Sequence, residues 1–246
     1  MILELDCGNT RVKWRLLNAA QTVVARGSLT PKQAVGKSLP VAAAQISACR
    51  MASVWQQPAV LEYAAAIEDL GIPVHLAKSS AELAGVKNSY LQPEKLGVDR
   101  WLAAVAAHSQ YQSHCLVLDF GTAVTADFVS AAGVYLGGVI APGLELMRST
   151  LMQKAQRLNV ALEEQAPNLL LPQTSTAAGI EAGVRQMMKG FIAQQLRVAE
   201  QTFLAEFKLV VVGGDAELLA ELGFAAIQAP DLVFTGLALA CPLSTL

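Results

Sequence analysis

Two places in the chain combine an aspartate, a glycine and small polar side chains. They are Asp6-Cys7-Gly8-Asn9-Thr10-Arg11-Val12-Lys13 and Asp119-Phe120-Gly121-Thr122. A glycine in such a turn lets the backbone approach a ligand closely, because it has no Cβ. The turn N–H groups, with the side chains of Asn9 and Thr10, can donate to phosphate oxygens. Lys13 adds a point charge for a β- or γ-phosphate. Asp6 repels phosphate but can hold Mg²⁺, directly or through water, and the ion would neutralise the phosphates. Either turn alone is better explained as a tight hairpin whose aspartate accepts from its own amides. Two with the same flanks reverse that preference.

The elements that must carry these residues follow from apolar periodicity. Leu3-Glu-Leu and Leu116-Val-Leu are short apolar runs of strand length, and Val12–Leu17 and Val124–Val129 read as the return strands of two hairpins. The echo divides the chain into two similar halves, 1–112 and 113–246. Gly133 turns the chain into a third strand, Tyr135–Ile140. Pro142 suits the first turn of a following helix, with Leu144, Met147, Leu151 and Leu158 at helical spacing. Further helices are expected over Pro58–Leu70, Pro93–His108 and Ile180–Phe207, the last with Val184, Met187, Phe191 and Val198 on its apolar face. The apolar strand Leu209–Val212 leads into Gly213-Gly214-Asp215 and a helix from about Ala216. Gly213-Gly214 suits close helix–strand packing or backbone access for an adenine or ribose. Strands alternating with helices imply an α/β fold with both sheet faces covered.

Composition narrows the class. The 246 residues are 53% apolar and 15% charged with a net charge of −2, which excludes intrinsic disorder and argues against a broad nucleic-acid surface. The start, Met1-Ile-Leu-Glu-Leu-Asp6, lacks the positive charge of an export signal, and Phe128–Leu144 is interrupted by turn residues, so no membrane span is expected. Cys7, Cys49, Cys115 and Cys241 are scattered, as in reduced thiols of a cytoplasmic protein, and His75, His108 and His114 form no metal pattern. No two glycines are spaced G-x-G, and the P-loop, H-E-x-x-H and G-x-S-x-G are absent. Rossmann oxidoreductases, P-loop NTPases, zincins and serine hydrolases therefore drop out.

Taken together, Asp6–Lys13, Gly97-Val98-Asp99-Arg100, Asp119–Asp127 and Tyr135–Gly143 resemble, in order, the signatures of type III pantothenate kinases. This family lies within the actin-like ATPase and sugar-kinase superfamily, and the resemblance covers essentially the whole chain. It implies two ribonuclease H-like halves packed around a central nucleotide cleft. The implied reaction is ATP-dependent phosphorylation of pantothenate, the first step towards coenzyme A. Asp99 is then the catalytic base, and Asp6, Cys7, Gly8, Asn9, Thr10, Arg11, Val12, Lys13 and Thr122 bind ATP. Tyr90, Gly97, Val98, Asp99, Arg100 and Thr176 contact pantothenate, with Thr174 close to the last. Asp119 is implied as ligand of a monovalent cation, K⁺ or NH₄⁺, used beside Mg²⁺. A homodimer is implied too. Asp127 is assigned no role.

Bare residue types allow blander roles: Asp99-Arg100 as an ion pair at a helix start, Tyr90 as a loop anchor, Thr176 as an N-cap. Rival functions are a non-catalytic transcriptional accessory protein on the same fold and a kinase for another small hydroxylated acceptor. Retained Asp6, Asp99, Arg100 and Asp119 speak against the first. For the second, Tyr90 and Gly97–Arg100 are the discriminating residues, and their chemistry alone leaves the acceptor open.

Overall fold

The computed structural model describes residues 1–31, 33, 39–154, 168–169, 171–213 and 218–243. They form two compact units. One comprises Met1–Ser113, Val129–Gly137 and Pro230–Leu246, the other His114–Phe128 and Gly138–Ala229.

The first unit is built on a five-stranded sheet. Its strands are β1 (Ile2–Cys7), β2 (Val12–Leu17), β3 (Val23–Leu29), β4 (Ala48–Ser53) and β5 (Val74–Leu76), in the order β3-β2-β1-β4-β5. The first three form an antiparallel meander, and β4 and β5 join in parallel. One face is apolar: Leu3, Leu5, Cys7, Val12, Leu16, Cys49 and Met51 are buried with Ile67 of helix α1 (Gln57–Glu68). The other face carries Glu4, Asp6, Lys13, Arg15 and Arg50, by the period of two. Short strands β6 (Glu82–Leu83) and β7 (Val86–Asn88) pair antiparallel; their residues belong to this unit, yet they form the edge of a second, seven-stranded sheet.

Helix α2 (Val98–Tyr111) is buried along most of its length. The sequence pattern suggests a start at Pro93. Instead Pro93–Lys95 forms a separate 3-10 turn and Gly97 is the extended N-cap residue, so the helix begins at Val98.

In the second unit, strands β8 (His114–Phe120), β9 (Ala123–Val129), β10 (Val134–Pro142), β11 (Phe207–Gly213) and β12 (Ile227–Gln228) run in the order β12-β11-β8-β9-β10. This repeats the first sheet's order strand for strand. The pairs β8/β11 and β11/β12 are parallel, like β1/β4 and β4/β5. Helices α3 (Leu144–Lys154) and α4 (Thr176–Phe203) cover it, and Leu116, Leu118, Val184, Met188 and Ile192 lie in its core. A four-residue helix, α5 (Leu218–Glu221), follows β11.

Several sequence expectations shift here. Pro142 ends β10 rather than opening α3, and Leu151 is exposed. The long helix starts at Thr176 and stops at Phe203, where Leu204 adopts a left-handed conformation that halts it, and Phe207 begins the next strand. Met187 points outward at 64% exposure, because the buried stripe runs through Val184, Met188 and Ile192. Leu158, Gly214, Asp215 and the expected helix start near Ala216 lie outside the described residues.

The last helix, α6 (Leu232–Ala240), belongs to the first unit and packs on β1, β4 and α2. Gly236 sits against the Leu102 backbone, leaving no room for a Cβ. The chain end thus braces the strand that bears Asp6 and the helix that bears Asp99.

Candidate active site

In the first hairpin, Asp6 stands opposite Lys13 and Cys7 opposite Val12. Cys7 and Val12 bury their side chains in the core. Between them, Asn9, Thr10 and Arg11 are exposed, and the Gly8 N–H donates to the Arg11 carbonyl at 3.0 Å. A Cβ on Gly8 would come within 3.1 Å of that carbonyl oxygen. This leaves a small polar turn with main-chain groups available to an anion.

Asp6 has a carboxyl pKa of about 6, raised from 3.8. Burial is the main cause; Lys13 pulls it down and Asp99 pushes it up again. The two carboxylates therefore share one electrostatic neighbourhood. Two neighbouring carboxylates beside a polar turn suit a divalent cation, whose arrival would relieve their repulsion. Among the described residues no cluster of three or more His, Cys, Asp or Glu forms a metal site by itself.

Asp99 lies in the first turn of α2, half-buried, with Oδ1 accepting from the Arg100 N–H at 2.8 Å. Arg100 is only 7% exposed. Its guanidinium donates to the hydroxyl of Tyr90 at 3.3 Å and of Tyr135 at 3.1 Å, and the two tyrosine rings lie 5.9 Å apart. Tyr90 follows β7, and Tyr135 reaches the same place because β10 pairs with β7 through Tyr135 and Asn88. Trp101 meets Tyr135 edge-on. Tyr90, Gly97, Val98, Asp99 and Arg100 thus come together. Tyr135 joins them, although the sequence reading gave it no role beyond a strand residue heading a family signature. Its one signal was its place at the head of the Gly-Gly strand.

In the second unit Asp119 is half-buried near the end of β8, level with Val212 of β11, and Thr122 is exposed in the turn. The Gly143 N–H donates to the Thr122 carbonyl at 3.0 Å. Gly213 has φ +99°, and a Cβ there would run into the Phe120 backbone. Only glycine serves at that crossing. Asp127, left without a role, is buried and accepts from the Thr125 hydroxyl at 3.1 Å. Thr176 is exposed at the first position of α4, and the cap is Ser175, whose Oγ accepts from the Ala178 N–H. The N-cap role considered for Thr176 is therefore taken by its neighbour.

Two sheets that share one five-strand order, each opened by an aspartate hairpin, place the chain in the fold class of actin-like ATPases and sugar kinases. Solved structures agree. A protein described as a Baf family transcriptional activator from Campylobacter jejuni matches with a TM-score of 0.63 at 21% identity, over 95% of this chain and 94% of that one. One described as a 2-dehydro-3-deoxygalactonokinase from Sinorhizobium meliloti gives 0.58 at 14%, over 99% and 100%. The profile of the type III pantothenate kinases matches residues 2–198. A type III pantothenate kinase from Pseudomonas aeruginosa (strain LESB58) is 44% identical over 249 residues, spanning 99% of this chain and all of that protein. The chain belongs to the type III pantothenate kinase family.

Proposed function

We infer that the protein transfers the γ-phosphoryl group of ATP to the primary hydroxyl of pantothenate, giving 4'-phosphopantothenate and ADP, the entry step to coenzyme A. The observation that carries this is the grouping of Asp6, Lys13, Asp99 and Arg100 within one unit, with Asp99 felt by Asp6. Asp99 accepts the hydroxyl proton as the oxygen closes on the γ-phosphorus and the bond to the bridging oxygen breaks. In such transfers placement and charge neutralisation carry most of the catalysis, so a carboxylate base chiefly orients the hydroxyl. Arg100, held by two tyrosines, offers a fixed fork of donors to the acceptor's polar or anionic end. Tyr90, Gly97, Val98 and Thr176 complete the acceptor contacts.

Asp6–Lys13 and Thr122 bind ATP, Lys13 countering the terminal phosphates. A bound Mg²⁺ supplies neutralisation of phosphate charge, with Asp6 as its carboxylate. Asp119 holds K⁺ or NH₄⁺, for which a carboxylate oxygen is suitable. The chain, read as the halves 1–112 and 113–246, pairs with a second copy as a homodimer and acts in the cytoplasm. Exposed Val139, Ile140 and Leu146 support the dimer as apolar surface in want of cover. No described helix is long and apolar enough to cross a membrane. The test is product formation from pantothenate and MgATP, with and without each monovalent cation, alongside light scattering for the dimer.

A further inference from the structure

The turn between β1 and β2 is tied to the loop after β4. The Val54 N–H donates to the Cys7 carbonyl at 3.2 Å, and the Trp55 indole Nε1–H donates to the Gly8 carbonyl at 2.9 Å. Trp55 is half-buried against the apolar core, its ring edge-on to Tyr63 of α1 with centroids 5.2 Å apart and planes at 88°. The indole is thereby fixed by packing, and it approaches Gly8 from 47 residues away in the chain.

The Gly8–Asn9 peptide bond is trans, so its C=O and N–H point in opposite directions. A carbonyl turned to the indole leaves the Asn9 N–H turned away from it. An indole nitrogen is a donor only. Rotating this peptide by half a turn would set the Asn9 N–H against the Trp55 N–H, donor against donor. The Gly8 N–H is meanwhile committed to the Arg11 carbonyl. The orientation of the Asn9 N–H is thus set by a side chain distant in the sequence.

We propose that Trp55 is a positioning residue that locks the Gly8–Asn9 peptide so that the Asn9 N–H is presented to a phosphate of ATP. The proposal rests on the nucleotide-binding part of the function inferred above. Trp55 touches no substrate; it acts through one peptide unit.

Trp55→Phe keeps an aromatic ring beside Tyr63 and removes the donor. A neutral hydrogen bond is worth about 1 kcal/mol net, so KM for ATP and the calorimetric Kd for MgATP should rise about three- to ten-fold. KM for pantothenate and kcat should stay within about two-fold, and Tm within about 2 °C, as for an exchange that spares the packing. Adenosine, which has no phosphate, should bind both proteins equally. An unchanged Kd for MgATP overturns the proposal, as does equal weakening of MgATP and adenosine, or a joint loss of kcat, pantothenate affinity and Tm. If the wild-type protein binds MgATP but leaves pantothenate untouched, the kinase reading falls and the calorimetric comparison still decides the role of Trp55. Wild-type protein that binds no MgATP overturns both.

Discussion

Burial drives the Asp6 carboxyl up to about 6, with Lys13 opposing and Asp99 adding to the rise. Unfolded, the group titrates near 3.8. Between these values the folded protein holds more protons than the unfolded chain. Stability from this group is therefore present at low pH and lost as pH climbs from about 4 to 6. Asp6→Asn should raise the stability of the nucleotide-free protein at pH 7 by up to about 3 kcal/mol, and by nothing near pH 4. Thermal melts of both proteins at the two pH values check it. The same residue would weaken MgATP binding when replaced, a trade of stability for function. Tyr135 gives a second prediction. Its hydroxyl accepts from the Arg100 guanidinium, and hydrogen bonds to charged groups are the stronger kind. Tyr135→Phe should raise KM for pantothenate about ten-fold while leaving KM for ATP alone, as steady-state kinetics with each substrate varied would show.

At the level of elements, the polar face of the first sheet is organised by Glu4. It is fully buried on β1, flanked by Arg15 at 2.5 Å on β2 and Arg50 at 2.8 Å on β4. Both arginines also reach the C-terminal segment. Arg50 donates to the Cys241 carbonyl, and Arg15 pairs with Asp231 and lies over the Phe234 ring at 4.7 Å. Glu4→Gln would leave two buried cations facing a neutral amide, so a loss of about 3–5 kcal/mol and a clear fall in Tm are expected by calorimetry. None of this was legible beforehand. Nothing in Leu3-Glu-Leu marks Glu4 as buried, because its two arginine partners lie on other strands, 11 and 46 residues away. The hairpins were legible, since Asp-x-Gly and period-two alternation are local signals. The start of α2 was not, because Pro93 suits a helix start and only the extended Gly97 shows that the turn stops short. Met187 failed for a related reason: a methionine fits either side of a stripe, and packing chose Met188.

For the whole molecule, a short echo around two aspartates was the visible edge of a larger repeat. Five strands in one order occur twice, β3-β2-β1-β4-β5 and β10-β9-β8-β11-β12. The sequence carried the hairpin of each copy, where glycine and aspartate are required. It hid β4, β5 and β12, whose short apolar runs look like core of any kind. Asp99-Arg100 was marked by the ordered family signatures and Tyr90 by the family resemblance; Tyr135 headed a signature without being given a role, and Trp55 needed coordinates. The account stands on Asp99 as the proton acceptor for a pantothenate hydroxyl. Its most direct test measures phosphopantothenate from purified protein, MgATP and pantothenate in K⁺ or NH₄⁺, beside Asp99→Asn with its MgATP affinity determined separately. Product from the wild type, at least about a hundred-fold slower in the variant with MgATP binding intact, is the predicted result. A folded, ATP-binding wild type that makes no phosphopantothenate with either cation, or a variant as fast as the wild type, would contradict it.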